Sequence, residues 1–147
     1  MPAGEFFKNC RECKACCRSA SGFVRIYVCR HEKALIGLLR ANGMDEDCIT
    51  VSPSASCRFL GDDGCTLGDM KPFQCRLYPL LMLSDGSLGL DASCTYSGEY
   101  VSLLADHSSD AWRHLEAMKR EAAILTDKDR RLLSEWSRYV CDIVKLY

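Results

Sequence analysis

Apolar residues follow different rhythms in different parts of this chain. In GFVRIYVCRHEKALIGLLRANG, Val24, Ile26 and Val28 alternate with Arg25 and Tyr27, the period-two pattern of a short strand. Residues 30–41 then set Ala34, Leu35, Leu38 and Leu39 on one face, which predicts a helix. Cys29 occupies an N-cap position with Glu32 three residues on, and Asn42-Gly43 supplies a stop. Residues 44–72 lose the rhythm. SPSAS, GDDG and GDMKP read as loops held by something other than a regular ladder. YPLLMLSDGSLGLD places Asp85-Gly86 between two apolar runs, as in a β-hairpin.

The last third is helical in pattern. Ser109-Asp110 can cap a helix to about Leu125, with Ala111, Leu115, Met118, Ala122 and Leu125 on one stripe. Thr126 with Asp129 can start another, running to about Leu146 through Leu133, Trp136, Val140, Ile143 and Tyr147. Such stripes pack inside the chain or form a surface for a protein partner. The expected architecture is α+β: a single domain over 1–147, with a cysteine-rich metal-nucleated part (10–94), a short β-hairpin and a C-terminal amphipathic helical part (108–147).

Composition narrows the class. A chain of 147 residues can bury about 70% of its unfolded surface, so size alone demands neither disulfides nor metal. Net charge is −1 and 48% of residues are hydrophobic, a globular balance without an electrostatic footprint for nucleic acid. MPAGEFFKNC has no basic stretch leading into an apolar one, and no apolar run is long enough to span a bilayer. The expected setting is cytoplasmic, without membrane or nucleic-acid partners.

Cysteine changes the picture most. There are 11, and in a reducing compartment such cysteines are ligands or redox groups more often than structural disulfides. Eight form two sets. Cys10, Cys13, Cys16 and Cys17 make C-x2-C-x2-C-C, and Cys57, Cys65 and Cys75 are followed by Cys94. Gly61, Gly64, Gly68 and Pro72 lie between members of the second set, in loops able to turn thiolates towards one centre.

Thiolates are soft ligands suited to zinc and to iron–sulfur clusters. A four-thiolate site around Zn2+ or an oxidised four-iron cluster carries about two net negative charges. Lys8, Arg11, Lys14 and Arg18 flank the first set; Arg58, Lys71 and Arg76 flank the second. These cations either compensate such a site or solvate the loops. Structural zinc usually shows two C-x2-C pairs, whereas Cys10, Cys13 and Cys16 copy the opening of a ferredoxin run without its C-P ending. The balance favours a four-iron cluster over zinc, and eight thiols suffice for two centres.

In this order Cys10, Cys13, Cys16, Cys17, Cys57, Cys65, Cys75-Arg76, Pro79 and Cys94 resemble the CxxCxxCC cysteine-cluster family. That family is described as a zinc- or iron-chelating domain, and flagellin lysine N-methylase carries a related pattern. The resemblance covers roughly residues 10–94 and implies that the eight cysteines are metal ligands. Where the family often has an aromatic residue and Arg-Pro, this chain has Leu67-Gly68 and Lys71-Pro72.

Three functions follow: a metal or cluster carrier, sensor or redox protein; an interaction module with structural zinc and working C-terminal helices; or a methyl-transfer enzyme. No glycine-rich cofactor loop supports the last, and Cys13-x3-Cys17 lacks the third cysteine of a radical-type motif because Ala20 stands there. The remaining candidates read as structural. Cys29 is a cap-position thiol, Cys48 a loop residue, Cys141 a small buried hydrophobe, and His31 part of the Leu35–Leu38 stripe. His107 and His114 are too far apart along a helix to chelate one ion alone.

Overall fold

The computed structural model describes residues 6–7, 25–44, 47–50, 58–61, 64–92, 94–135 and 143–146. Its class is the expected α+β. Among the described residues there are five α-helices and, beside one two-residue hairpin, two small antiparallel sheets. The chain divides into two compact units, Lys14–Tyr78 and Met1–Cys13 with Pro79–Tyr147.

In the 14–78 unit the expected first strand is β1 (Arg25–Tyr27). It pairs antiparallel with β2 (Cys48–Thr50), Ile26 opposite Ile49 and Tyr27 opposite Cys48. Ile26 and Ile49 turn into the core while Arg25 and Thr50 face out. β2 overturns the reading of Cys48 as a loop residue: it is a buried strand residue, 5% exposed. Three residues are too few to display a period of their own, so this strand exists through its ladder to β1.

Helix α1 (Lys33–Ala41) buries Leu35 and Leu39. It stops as Asn42-Gly43 predicts. Gly43 takes φ +66°, its N–H donates to Arg40 O, and Met44 N–H donates to Leu39 O at 2.9 Å. These are the paired bonds of a Schellman ending, which needs a left-handed residue that glycine adopts without steric cost. Met44 then packs on the core formed by Ile26, Val28, Leu35, Leu39, Ile49 and Leu67.

The second half of this unit is a hairpin, β3 (Leu60–Gly61) with β4 (Gly64–Cys65), then a 3-10 turn at Gly68–Met70 and helix α2 (Phe73–Leu77). Helix α2 joins β1 through a side chain: the buried Gln74 accepts the Tyr27 N–H at 2.7 Å.

The 79–147 unit is built on the expected hairpin, β5 (Leu80–Met82) with β6 (Leu88–Asp91). Gly86 takes φ +85° in its turn, and Asp85 accepts the Ser87 N–H at 2.9 Å. Helix α3 (Ser97–Leu103) leads to α4 (Asp110–Ala122). Ser109 caps α4 as its position predicts, accepting the Trp112 N–H at 3.1 Å. Its hydroxyl also donates to Leu103 O at 2.7 Å, tying the two helices. The stripe Ala111, Leu115 and Met118 is buried in the chain, so a partner would have to use other faces of α4.

Helix α5 (Asp127–Glu135) begins with a complete capping box. Thr126 N–H donates to the Asp129 carboxylate and Asp129 N–H to the Thr126 hydroxyl, each at 3.1 Å. The expectation of helix to Leu146 is overturned. Ile143–Lys145 is a strand, β7, pairing with β6: Gly89 opposite Lys145, Leu90 opposite Val144, Asp91 opposite Ile143. Spacing alone cannot tell a helical stripe from a β-branched pair, and the second edge of β6 supplies the hydrogen bonds. Gly89 makes the approach possible, since a Cβ there would lie 2.8 Å from the Ile143 Cγ2 methyl.

Candidate metal centre

Of the eight cysteines expected to hold metal, Cys10, Cys13, Cys16, Cys17 and Cys57 lie outside the described residues, as does Cys141. Cys65 ends β4, Cys75 sits in α2, and both are half-buried against the same hydrophobic core. Cys94 belongs to the 79–147 unit. It lies in the turn before α3, donating its N–H to Asp91 O at 3.1 Å and accepting from Ser97 N at 3.0 Å. Among the described residues no three His, Cys, Asp or Glu side chains converge as metal ligands. The structure therefore brings Cys65 and Cys75 to one core, and a full ligand set would have to draw on the five cysteines outside the described residues.

The donor chemistry of this pair suits a soft metal. Cys65 and Cys75 are each half-buried against that apolar core, where a thiolate would be partly screened from water. Cys29 and Cys48 are different, 0% and 5% exposed, consistent with small buried hydrophobes.

The residue that organises the Cys75 segment is Glu32, whose side chain is only 6% exposed. One carboxylate oxygen accepts the Cys29 N–H at 2.7 Å, and the other accepts the Phe73 N–H at 2.6 Å. The first bond closes a turn over Cys29–Glu32 and corrects the expected cap: α1 starts at Lys33 rather than at residue 30, with Glu32 and not Cys29 at its N-cap position. The second was invisible in the sequence, because it crosses from the start of α1 to the start of α2. Pro72 stands at the N-cap of α2 and makes no side-chain cap bond, so Glu32 supplies the missing acceptor from outside. Arg76 completes the cluster, 3.6 Å from Glu32, over the Phe73 ring at 5.7 Å, and donating from Nε to Lys71 O at 2.9 Å. Arg76 thus faces a carboxylate first, and its charge is shared with Glu32 before any compensation of thiolates. Burial raises the Glu32 pKa above the usual carboxylate value, opposed by the two N–H bonds and by the Arg76 and His31 charges.

The histidines take up packing roles. His31 is half-buried with its ring edge-on to Phe73. His107 stacks on Trp112 at 3.9 Å. His114 Nδ1 lies 2.9 Å from the Tyr100 hydroxyl and its ring meets Phe7 at 4.7 Å. The Tyr100 hydroxyl is held well above its ordinary pKa by burial, reinforced by the Asp110 charge. Asp110 itself accepts the Phe6 and Phe7 N–H groups at 2.7 and 2.8 Å. It fastens the segment three residues ahead of Cys10, a role that its cap position did not reveal.

The 79–147 unit also carries an open cleft of about 800 Å3 beside the β5–β6 turn, with Asp85, Lys119, Asp127, Arg130 and Arg131 along it. Its charges are largely answered locally: Lys145 binds Asp85 at 2.8 Å, Arg130 faces Asp127 at 3.4 Å, and Lys119 faces Glu116 at 3.2 Å. Comparison of the chain with protein-family models, curated proteins and solved structures finds no match.

Proposed function

We propose that this chain is a metal-binding protein that uses Cys10, Cys13, Cys16, Cys17, Cys57, Cys65, Cys75 and Cys94 to hold an iron–sulfur cluster, zinc or both. Its role on this reading is that of a carrier, sensor or redox protein of the CxxCxxCC type. The observation that carries it is the ordered eight-cysteine pattern. Support comes from the place of Cys65 and Cys75, each half-buried against one core of the 14–78 unit. On this reading Cys65 and Cys75, each packed against that core, are candidates to share a centre. When bound, the metal supplies cross-linking and, if it is a cluster, one-electron chemistry. The chain's own residues provide soft thiolate donors and an apolar floor.

The test is elemental analysis and a visible spectrum on protein purified without oxygen. Iron with acid-labile sulfide and broad visible absorption assigns a cluster and calls for redox assays. Colourless protein with one or two zinc ions per chain makes the metal structural, and directs the search to partners of the helical part. Protein with neither metal, and with its thiols paired as disulfides, rejects the reading.

A further inference from the structure

We infer that Glu32 is a positioning residue for the proposed metal centre, fixing the orientation of α2 and hence of the Cys75 thiolate; this role rests on the metal-binding reading. Helix α2 is a single turn of five residues, too short to be stable by itself. It has no side-chain cap of its own, and its first residue, Phe73, is fully buried. What holds that turn at its N-terminal end is the Glu32 carboxylate, through the 2.6 Å bond to Phe73 N. The same carboxylate is fixed by Cys29 N–H at the end of the β1 segment and by Arg76, the residue after Cys75. Gln74, the residue before Cys75, is held to β1. Both neighbours of Cys75 are therefore held, while Cys75 itself is half-buried. A carboxylate is the fitting group here because its two oxygens accept two N–H bonds at once, whereas glutamine offers one acceptor oxygen and an NH2 that would face an N–H. Groups standing behind a metal ligand in this way typically govern affinity by 10- to 100-fold.

The experiment uses the full chain loaded with Co2+, whose absorption reports the number and geometry of thiolate ligands. It compares Glu32→Gln, Glu32→Ala, Cys75→Ser and Leu115→Ala, the last a fully buried core variant in the other unit. Glu32→Ala should shift the Co2+ bands towards those of Cys75→Ser and weaken Co2+ binding by about 10-fold or more. Glu32→Gln should fall between it and the parent protein, and Leu115→Ala should lower thermal stability while keeping the parental spectrum. A parental spectrum and affinity in both Glu32 variants overturns the role, as does an equal spectral change in Leu115→Ala. A parent chain that takes up no Co2+ overturns the metal reading and this role together. Faster amide exchange at Phe73 in Glu32→Gln would then still report the clamp as a purely structural one.

Discussion

Among the described residues, the 79–147 unit joins its strands into one three-stranded sheet, while the 14–78 unit has two separate strand pairs with buried side chains reaching between its segments. In the first, β6 is paired on both edges, and α4 and α5 start with caps made by their own neighbouring residues. In the second, the ladders among the described residues are three and two residues long, and two buried acceptors, Glu32 and Gln74, take up N–H groups from distant segments. Both units contain a carboxylate that clamps two N–H groups, Asp110 in one and Glu32 in the other. Asp110 adds a terminal segment to a framework that already has ladders and caps. Glu32 joins the start of α1 to the start of α2, segments that share no ladder among the described residues. In the described part, such buried polar contacts carry more of the joining, and this unit holds Cys65 and Cys75.

The sharpest break of this comparison is Cys75→Ala. If metal closes the 14–78 unit, the variant should lose metal and drop the thermal midpoint by on the order of 10 °C or more, since a few kcal/mol is at stake. Unchanged metal content and midpoint would refute the dependence. Leu39→Ala removes a fully buried side chain and should cost about 2–5 kcal/mol, read by denaturant titration. Amides of the 14–78 unit should exchange faster than those of the other unit.

Gly89→Val strikes the opposite unit. Its Cβ would meet the stiff branch of Ile143, and the expected cost is roughly 1–3 kcal/mol. Displacement of β7 should appear first as rapid exchange of the Leu146 N–H, which bonds Leu88 O at 3.0 Å. Thr126→Ala removes half a capping box at the cost of about 1 kcal/mol, and should fray the start of α5 while leaving β5–β6 protected.

The smallest effect separates the units by sign. Glu32 has a raised folded pKa, so its contribution is present below the ordinary carboxylate value and is lost as pH rises through the folded one. Asp85 and Asp106 are held below their ordinary values by hydrogen bonds, Asp85 from Lys145 first and Asp106 from Ser108. Their contributions are present above the ordinary value and are lost as pH falls through the folded ones. Asp85 is exposed and Asp106 partly exposed, so solvent screens both, and the Glu32 slope should be the one detected. Stability of the parent chain and Glu32→Gln across the carboxylate range checks it, and equal slopes would remove Glu32 as the cause.

Local chemistry was legible in the chain itself. Asn42-Gly43, Ser109, Thr126 with Asp129, and Asp85-Gly86 each act within a few residues, so their bonds form wherever the segment goes. The apolar stripes of α1 (Leu35 and Leu39) and α4 were readable for the same reason, although Ala34, expected on the α1 stripe, is exposed. The α+β class followed from these elements, and the candidate thiols from their spacing. Tertiary structure decided the rest. Ile143–Lys145 became a strand because β6 offered an open edge and Gly89 left room for it. Cys48 entered a ladder because β1 lay opposite. Glu32 gained Phe73 as a second partner because folding placed the uncapped start of α2 against a carboxylate buried 41 residues away in sequence. Each of these depends on contacts whose energy arises only after distant segments meet, and no pattern of neighbouring residues encodes them.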